Sequence, residues 1–203
     1  GGILGLAIGY KLSCKIGDFK VTIFEKESEV GCHQSGNNSG VLHCGLNYQP
    51  KSLKAQLAVQ GIKEMILFCK ENEVNFEQCG KIVLATNNEE SLTLKDLAKR
   101  GKLNGLNNLK FLNKQEINKR EPNIVGMNAL LVPEEGIVDY KSVMIKLVEL
   151  IRNHNGEIFF DTEIKKIISF KDKSIINFKN DEKTFDLVIN CTGLHSDRVF
   201  ENF

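Results

Sequence analysis

The chain opens Gly1-Gly2-Ile3-Leu4-Gly5, and this turn constrains the fold more than any other stretch. It matches the last five positions of G-x-G-x-x-G, with Gly2 and Gly5 on glycine positions and Gly1 on a variable one. Ile3, Leu4, Leu6, Ala7, Ile8 and Leu12 of GGILGLAIGYKLSCKIG then predict a short amphipathic helix. KVTIFEKE, residues 20–27, is rich in β-branched and aromatic side chains and predicts a buried strand. Glu25 closes that strand, about 20 residues beyond the turn. The chemistry of such an arrangement is specific. Gly2 lets backbone approach a pyrophosphate, Gly5 lets the helix pack on a sheet, and the helix N-terminus offers free N–H groups to phosphate. An acid at this spacing holds a ribose hydroxyl. Singly, a glycine turn or a charged strand end is an ordinary surface feature. Together and in this order they favour a dinucleotide-binding unit.

The next segment distinguishes between dinucleotides. HQSGNNSGVLHCG, residues 33–45, has neither a helical nor a strand period. A long irregular stretch inside a folded domain is either functional or disordered. A flavin ring must be gripped along one edge, and small residues with accessible backbone N–H groups suit that task. Ser35, Gly36, Ser39 and Gly40 supply both. A nicotinamide-binding unit has no standing need of such a loop.

Composition excludes several classes. Lys and Arg number 27 against 26 Asp and Glu, a net charge of +1, without the basic excess of a nucleic-acid protein. No run of about 18 apolar residues marks a spanning helix. The six cysteines lack C-x-x-C spacing and read as reduced thiols, and no clustered ligands suggest a metal site. GNNSG is not G-x-S-x-G, and H-E-x-x-H is absent, so no hydrolase is indicated. The triplets at Asn37 and Asn190 are discounted as glycosylation sites, since nothing else suggests secretion. The chain begins inside a motif and reads as a fragment whose first sheet strand would precede Gly1.

Farther along, helices are expected at 52–73 (bent at Gly61), 90–105, 113–122 and 140–156, the last closed by Gly156. Asn113 with Glu116 predicts a capping box. Strands are expected at KIVLAT (81–86), ALLVP (129–133), EIFFDTEIKKIISF, SIINFKN and DLVINCTG (186–193). The last of these ends in Thr-Gly, at the strand terminus where open α/β sheets place ligands.

The glycine turn, FEKE, HQSGNNSGVLHCG, KSLKAQLAVQG, CGKIVLAT, KREPNIVG, GIVDYKSV and CTGLHSDR occur in this order. Together they resemble the L-2-hydroxyglutarate dehydrogenase family, within the D-amino-acid-oxidase-like FAD oxidoreductases. HQSGNNSGVLHCG and GIVDYKSV are the most family-specific. The resemblance implies an α/β fold: a Rossmann-type FAD-binding domain with an inserted, incomplete α+β substrate domain. Residues 1–80 would form the first FAD-binding segment, 81–135 part of the substrate or cap region, and 136–203 the second FAD-binding segment. The C-terminal half of the protein would be absent.

The same resemblance implies an FAD-dependent 2-hydroxy-acid dehydrogenase. It would oxidise L-2-hydroxyglutarate to 2-oxoglutarate by hydride transfer to flavin. Gly1, Gly2, Gly5, Glu25 and Lys26 would bind the ADP half. Ser35, Asn38, Ser39, Gly40 and Val41 would line the flavin, Ile164 would meet adenine through its backbone, and Thr192 and Gly193 would approach the pyrophosphate. Electrons would pass to a quinone or an electron-transfer chain, with peripheral membrane association. Location would be mitochondrial in a eukaryote, and cytoplasmic or inner-membrane-associated in a bacterium.

Oxidising a 2-hydroxy acid also requires a base for the hydroxyl proton, and histidine titrates nearest neutrality. His43, on the flavin-side loop, is the candidate, with a purely loop-orienting role as the alternative. His33 enters from the adenine side, His154 sits in a polar turn, and His195 follows the Thr-Gly turn. Tyr48 and Lys54 are candidate contacts for the two substrate carboxylates. Two rivals stay open: a sibling oxidoreductase acting on glycerol 3-phosphate or an amino acid, and an inactive nucleotide-binding remnant.

Overall fold

A computed structural model describes residues 1–15 and 19–200. In chain order the elements begin with α1 (Ile3–Ser13), β1 (Thr22–Phe24), β2 (Val41–Leu42), α2 (Leu53–Glu71), β3 (Phe76–Glu77) and β4 (Lys81–Ala85). They continue with α3 (Asn88–Leu103), β5 (Lys110–Asn113), α4 (Lys114–Arg120), β6 (Asn128–Val132), β7 (Gly136–Val138) and α5 (Tyr140–Asn153). They close with β8 (Glu157–Phe159), β9 (Ile164–Ser169), β10 (Ser174–Phe178), β11 (Asp181–Phe185), a 3-10 turn (Gly193–His195) and α6 (Ser196–Phe200). The tail of the first expected helix, residues 16–17, lies outside the described residues. By packing the chain divides into two units, Gly1–Ser39 with Tyr140–Phe203, and Gly40–Asp139.

In the first unit β1 and β8 pair in parallel, with Thr22 opposite Glu157 and Phe24 opposite Phe159. Parallel neighbours need a long crossover, and α5 occupies its final leg. The α5 pattern YKSVMIKLVELIRN buries Val143, Met144, Leu147, Val148 and Ile151 along one face. A meander, β9–β10–β11, packs Ile167, Ile176 and Phe178 together. Phe24 joins them, its ring 5.5 Å from Phe159 and 4.8 Å from Phe178.

The second unit holds two three-stranded antiparallel sheets, β2–β7–β3 and β4–β6–β5. The β6 run NALLV buries Ala129, Leu130, Leu131 and Val132, with Leu94, Ala98 and Ile117 also in the core. The capping box at Asn113 is present in full: Asn113 accepts from the Glu116 N–H, and Glu116 accepts from the Asn113 N–H at 2.8 Å. Ser52 and Asn87 cap α2 and α3 without the reciprocal bond, each side chain accepting one backbone N–H.

Several expectations are corrected. DLVINCTG is not a strand: β11 lies earlier, at Asp181–Phe185, and residues 186–192 form no ladder. A strand exists only by pairing, and this segment has no strand beside it among the described residues. Val188 still packs inward, but Leu187 is 68% exposed and Ile189 45%. EIFFDTEIKKIISF is two strands in different sheets, broken where Asp161 takes φ 48°. The irregular stretch 33–45 contains β2, and β3, β5 and β7 are additional short strands. The α2 helix runs through Gly61 without interruption. At the end of α5 it is Asn155, φ 61°, that adopts the left-handed conformation. Gly156 serves differently: its N–H closes onto Ile151 O at 2.9 Å, where a Cβ would lie 2.4 Å from the Ile151 Cγ2.

Candidate functional site

In the first unit the turn before α1 and the loop after β1 meet. Gly2 is extended (φ −78°, ψ 168°) and ends the turn without a side-chain cap. The first intrahelical bond is Leu6 N–H to Gly2 O at 3.0 Å, so the amides ahead of it have no acceptor within the helix. One of them, Ile3 N–H, donates to Ser35 Oγ at 3.0 Å. The loop thus supplies the cap that Gly2 cannot. No acidic residue occupies the first turn of α1, so the positive end of the helix dipole is left for an anion.

The loop from Ser28 to Ser39 is ordered by its own turns. Gly36 and Asn37 both donate backbone N–H to His33 O, and the Asn38 side chain donates to Ser35 O at 2.7 Å. Gly36 passes so near Gly31 that a Cβ would lie 2.1 Å from the Gly31 carbonyl oxygen. Glu25 accepts the Glu27 N–H at 2.9 Å, and its carboxylate lies against Gly1, 2.6 Å from where a Cβ on that residue would sit. Glu25 thus stands at the end of β1 as a hydrogen-bond acceptor beside the glycine turn.

Other residues singled out in the sequence cluster here. Lys26 lies 3.5 Å from Glu27, and His33 pairs with the same Glu27 at 2.9 Å. Thr162 N–H donates to Glu25 O, which brings the start of β9, Ile164, to the end of β1. Cys191, directly before Thr192 and Gly193, sets its Cβ 3.4 Å from the position a Gly5 Cβ would take, so this segment reaches α1 there although it is not a strand. Thr192 donates both N–H and Oγ–H to Asn190 Oδ1. Of the remaining histidines, His154 accompanies the end of α5, its ring edge-on to Tyr10, and His195 ends the 3-10 turn.

The loop crosses into the second unit between Ser39 and Gly40. Gly40 has φ 70°, and its carbonyl accepts the Val138 N–H at 2.8 Å. Val41 then pairs with Ile137, and Leu42 with Gly136. HQSGNNSGVLHCG and GIVDYKSV are therefore strand partners. Their register brings His43, just past β2, beside Glu135, just before β7.

Glu135 is 1% exposed. Its Oε1 accepts from the Cys44 N–H and the Cys44 Sγ, each at 3.3 Å. Its Oε2 pairs with Lys81 Nζ and lies 3.7 Å from His43 Nδ1. Burial, reinforced by the Glu135 charge, pushes the Cys44 thiol up to about 12, so Cys44 donates a hydrogen bond and is no nucleophile. His43, Gly45, Leu46, Asn47, Tyr48 and Glu135 line a cleft of about 230 Å³. Lys54 Nζ lies over the Tyr48 ring, 4.4 Å from its centroid. Three residues anticipated separately, His43, Tyr48 and Lys54, are thus gathered at or beside one cleft. Glu135 and Lys81 were not anticipated. The only signal was an acidic pair, Glu134-Glu135, wedged between apolar strands.

The sequence profile of the family described as FAD dependent oxidoreductase (DAO) matches residues 1–203. The chain belongs to this family. FAD is the cofactor named in the family's description. L-2-hydroxyglutarate dehydrogenase from Indibacter alkaliphilus is 42% identical over 199 residues, covering 98% of this chain and 50% of that protein. The protein of the same name from Escherichia coli K12 is 35% identical, covering 98% and 47%. The human protein, named mitochondrial, is 34% identical, covering 99% and 46%. The chain spans about half the length of the curated relatives it matches.

Among solved structures, glycine oxidase from Geobacillus kaustophilus superposes with a TM-score of 0.89 at 23% identity, covering 100% of this chain and 56% of that one. L-alpha-glycerophosphate oxidase from Mycoplasma pneumoniae, dithionite-reduced with FAD bound, gives 0.81 at 25%, covering 89% and 48%. The fold is therefore the α/β fold of this family. The chemistry of the first unit suits the family's cofactor: an uncompensated helix N-terminus for phosphate, the Glu25 carboxyl for ribose hydroxyls, and a tightly turned loop beside them. Among the described residues no helix is long and apolar enough to cross a membrane, and no His/Cys/Asp/Glu group could hold a metal ion.

Proposed function

We propose that this chain carries the FAD-binding part, and one wall of the substrate site, of an enzyme that oxidises L-2-hydroxyglutarate to 2-oxoglutarate. The observation that carries the reading is the β2–β7 pairing, which sets His43 on a cleft with Tyr48. The names of the most similar relatives supply the substrate. Gly1, Gly2, Gly5, Glu25 and Lys26 would hold the ADP half, with Ile164 near adenine and Thr192 and Gly193 near the pyrophosphate. Ser35, Asn38, Ser39, Gly40 and Val41 would line the flavin. Bound FAD supplies the acceptor for the hydride leaving the substrate α-carbon. His43 takes the hydroxyl proton, which balances the step. Tyr48 and Lys54 offer a hydroxyl and a cation to substrate carboxylates. A quinone or electron-transfer chain would reoxidise the cofactor, at the membrane surface. The enzyme would be mitochondrial in a eukaryote, and cytoplasmic or inner-membrane-associated in a bacterium.

The test is the visible spectrum of the full-length protein under anaerobic conditions, before and after adding L-2-hydroxyglutarate. Bleaching of the flavin band is expected. A flavin band indifferent to this substrate but bleached by glycerol 3-phosphate or an amino acid would move the reading to a sibling oxidoreductase. Colourless protein would leave an inactive remnant.

Gly40→Val probes the loop. At φ 70° a β-branched residue is strained, and its Cβ would lie 3.3 Å from Val138 O. The full-length variant should lose flavin on gel filtration; a variant as yellow as wild type would remove Gly40 and Val41 from the flavin site.

A further inference from the structure

We propose that Glu135 is a positioning residue for His43, fixing the imidazole with its proton on Nδ1 and leaving Nε2 as the proton acceptor. The inference rests on the base assignment made above and deepens it. The register supplies the first ground: continuing Val41–Ile137 and Leu42–Gly136 by one step sets His43 against Glu135. Rigidity is the second. Glu135 is 1% exposed, and its carboxylate is held at Oε1 by two donors from Cys44 and at Oε2 by Lys81. Such a carboxylate cannot swing away from the ring it faces. Distance is the third. Nδ1 to Oε2 is 3.7 Å, within ion-pair range and longer than a hydrogen bond, as is common in ligand-free sites that tighten when substrate binds.

An acceptor-only group at Nδ1 selects the Nδ1–H tautomer, because the hydrogen bond at one ring nitrogen sets the state of the other. The remaining charged and titratable neighbours do not compete for that position. Lys81 is engaged by Glu135, and Cys44 is a donor to it. Glu134 Oε1 accepts the Asn108 N–H at 3.1 Å. Tyr48 shares the cleft, with Lys54 stacked on its ring.

The tautomer is directly readable. Full-length holoenzyme labelled with ¹⁵N in its histidine rings gives separate signatures for Nδ1–H and Nε2–H, and loss of one ring's signals in His43→Asn assigns His43. The double variant Lys81→Met/Glu135→Gln avoids leaving a buried charge unpaired. Its amide oxygen can keep the Cys44 N–H while its NH₂ turns toward Nδ1. Wild type should show Nδ1–H and the double variant Nε2–H, with kcat lower by about 10²-fold, the scale of lost base catalysis, and KM little changed. A wild-type ring carrying its proton on Nε2, or a tautomer unmoved by the double substitution, overturns the proposal. The wild-type spectrum alone decides the matter if the double variant does not fold. Protein that shows Nδ1–H but ignores L-2-hydroxyglutarate would sink the substrate reading and leave the Glu135–His43 pair standing.

Discussion

Full-length protein carrying Gly36→Ala should come off gel filtration without flavin and should unfold at lower urea than wild type. The added Cβ would sit 2.1 Å from the Gly31 carbonyl oxygen, a backbone atom that cannot rotate aside. Relief requires the 31–36 turn to open, and overpacking of this kind costs about 3 kcal/mol. Ser35 is the adjacent residue, so its bond from Ile3 N–H should go with the turn. That bond joins the loop to the α1 N-terminus, where the ADP half is proposed to bind. Gly61→Ala is the matched control: nothing lies within 4 Å of the added Cβ, and the site is mid-helix. It should keep flavin and gain about 0.5–1 kcal/mol, the usual helix preference for alanine. A flavin-loaded Gly36→Ala protein of wild-type stability would show that the loop tolerates opening and would detach it from the cofactor.

Lys81→Met should destabilise the protein by about 3 kcal/mol in urea titrations. Glu135 is buried, and removing one partner of a buried pair strands the other charge in an apolar setting. The full penalty for a wholly enclosed pair is about 3–5 kcal/mol; Lys81 retains 29% side-chain exposure, which places it at the lower end. Lys81→Met/Glu135→Gln should recover most of the loss, since neither charge then remains. A single variant within about 0.5 kcal/mol of wild type, the scale of an ordinary surface change, would mean that water replaces Lys81 at no cost.

Legibility followed the range of the interactions. Helices α1 to α5 were readable because their periodicity, caps and stops are local, as at Asn113 with Glu116. Strands of real length, β4 and β6, were readable from apolar runs. Strands of two or three residues, such as β2 and β7, were not, because they carry no period and exist only through partners remote in the chain. DLVINCTG erred the other way: it has strand composition but no ladder neighbour among the described residues. The site divided along the same line. Gly2, Gly5, Glu25 and Ser35 lie close together or within one supersecondary unit, so spacing could single them out as candidates. Glu135 meets His43, Cys44 and Lys81 only through pairing between distant segments.

The sequence by itself determined the family and the turn–helix–strand unit and singled out His43 as the candidate base, because each depends on residue order and backbone needs within short spans. The tertiary structure alone decided that the two family-specific motifs are strand partners, that Gly36 is fixed by a carbonyl rather than by its own dihedrals, and that a buried carboxylate stands beside His43. Those facts are distances between residues remote in the chain, and only folding sets such distances.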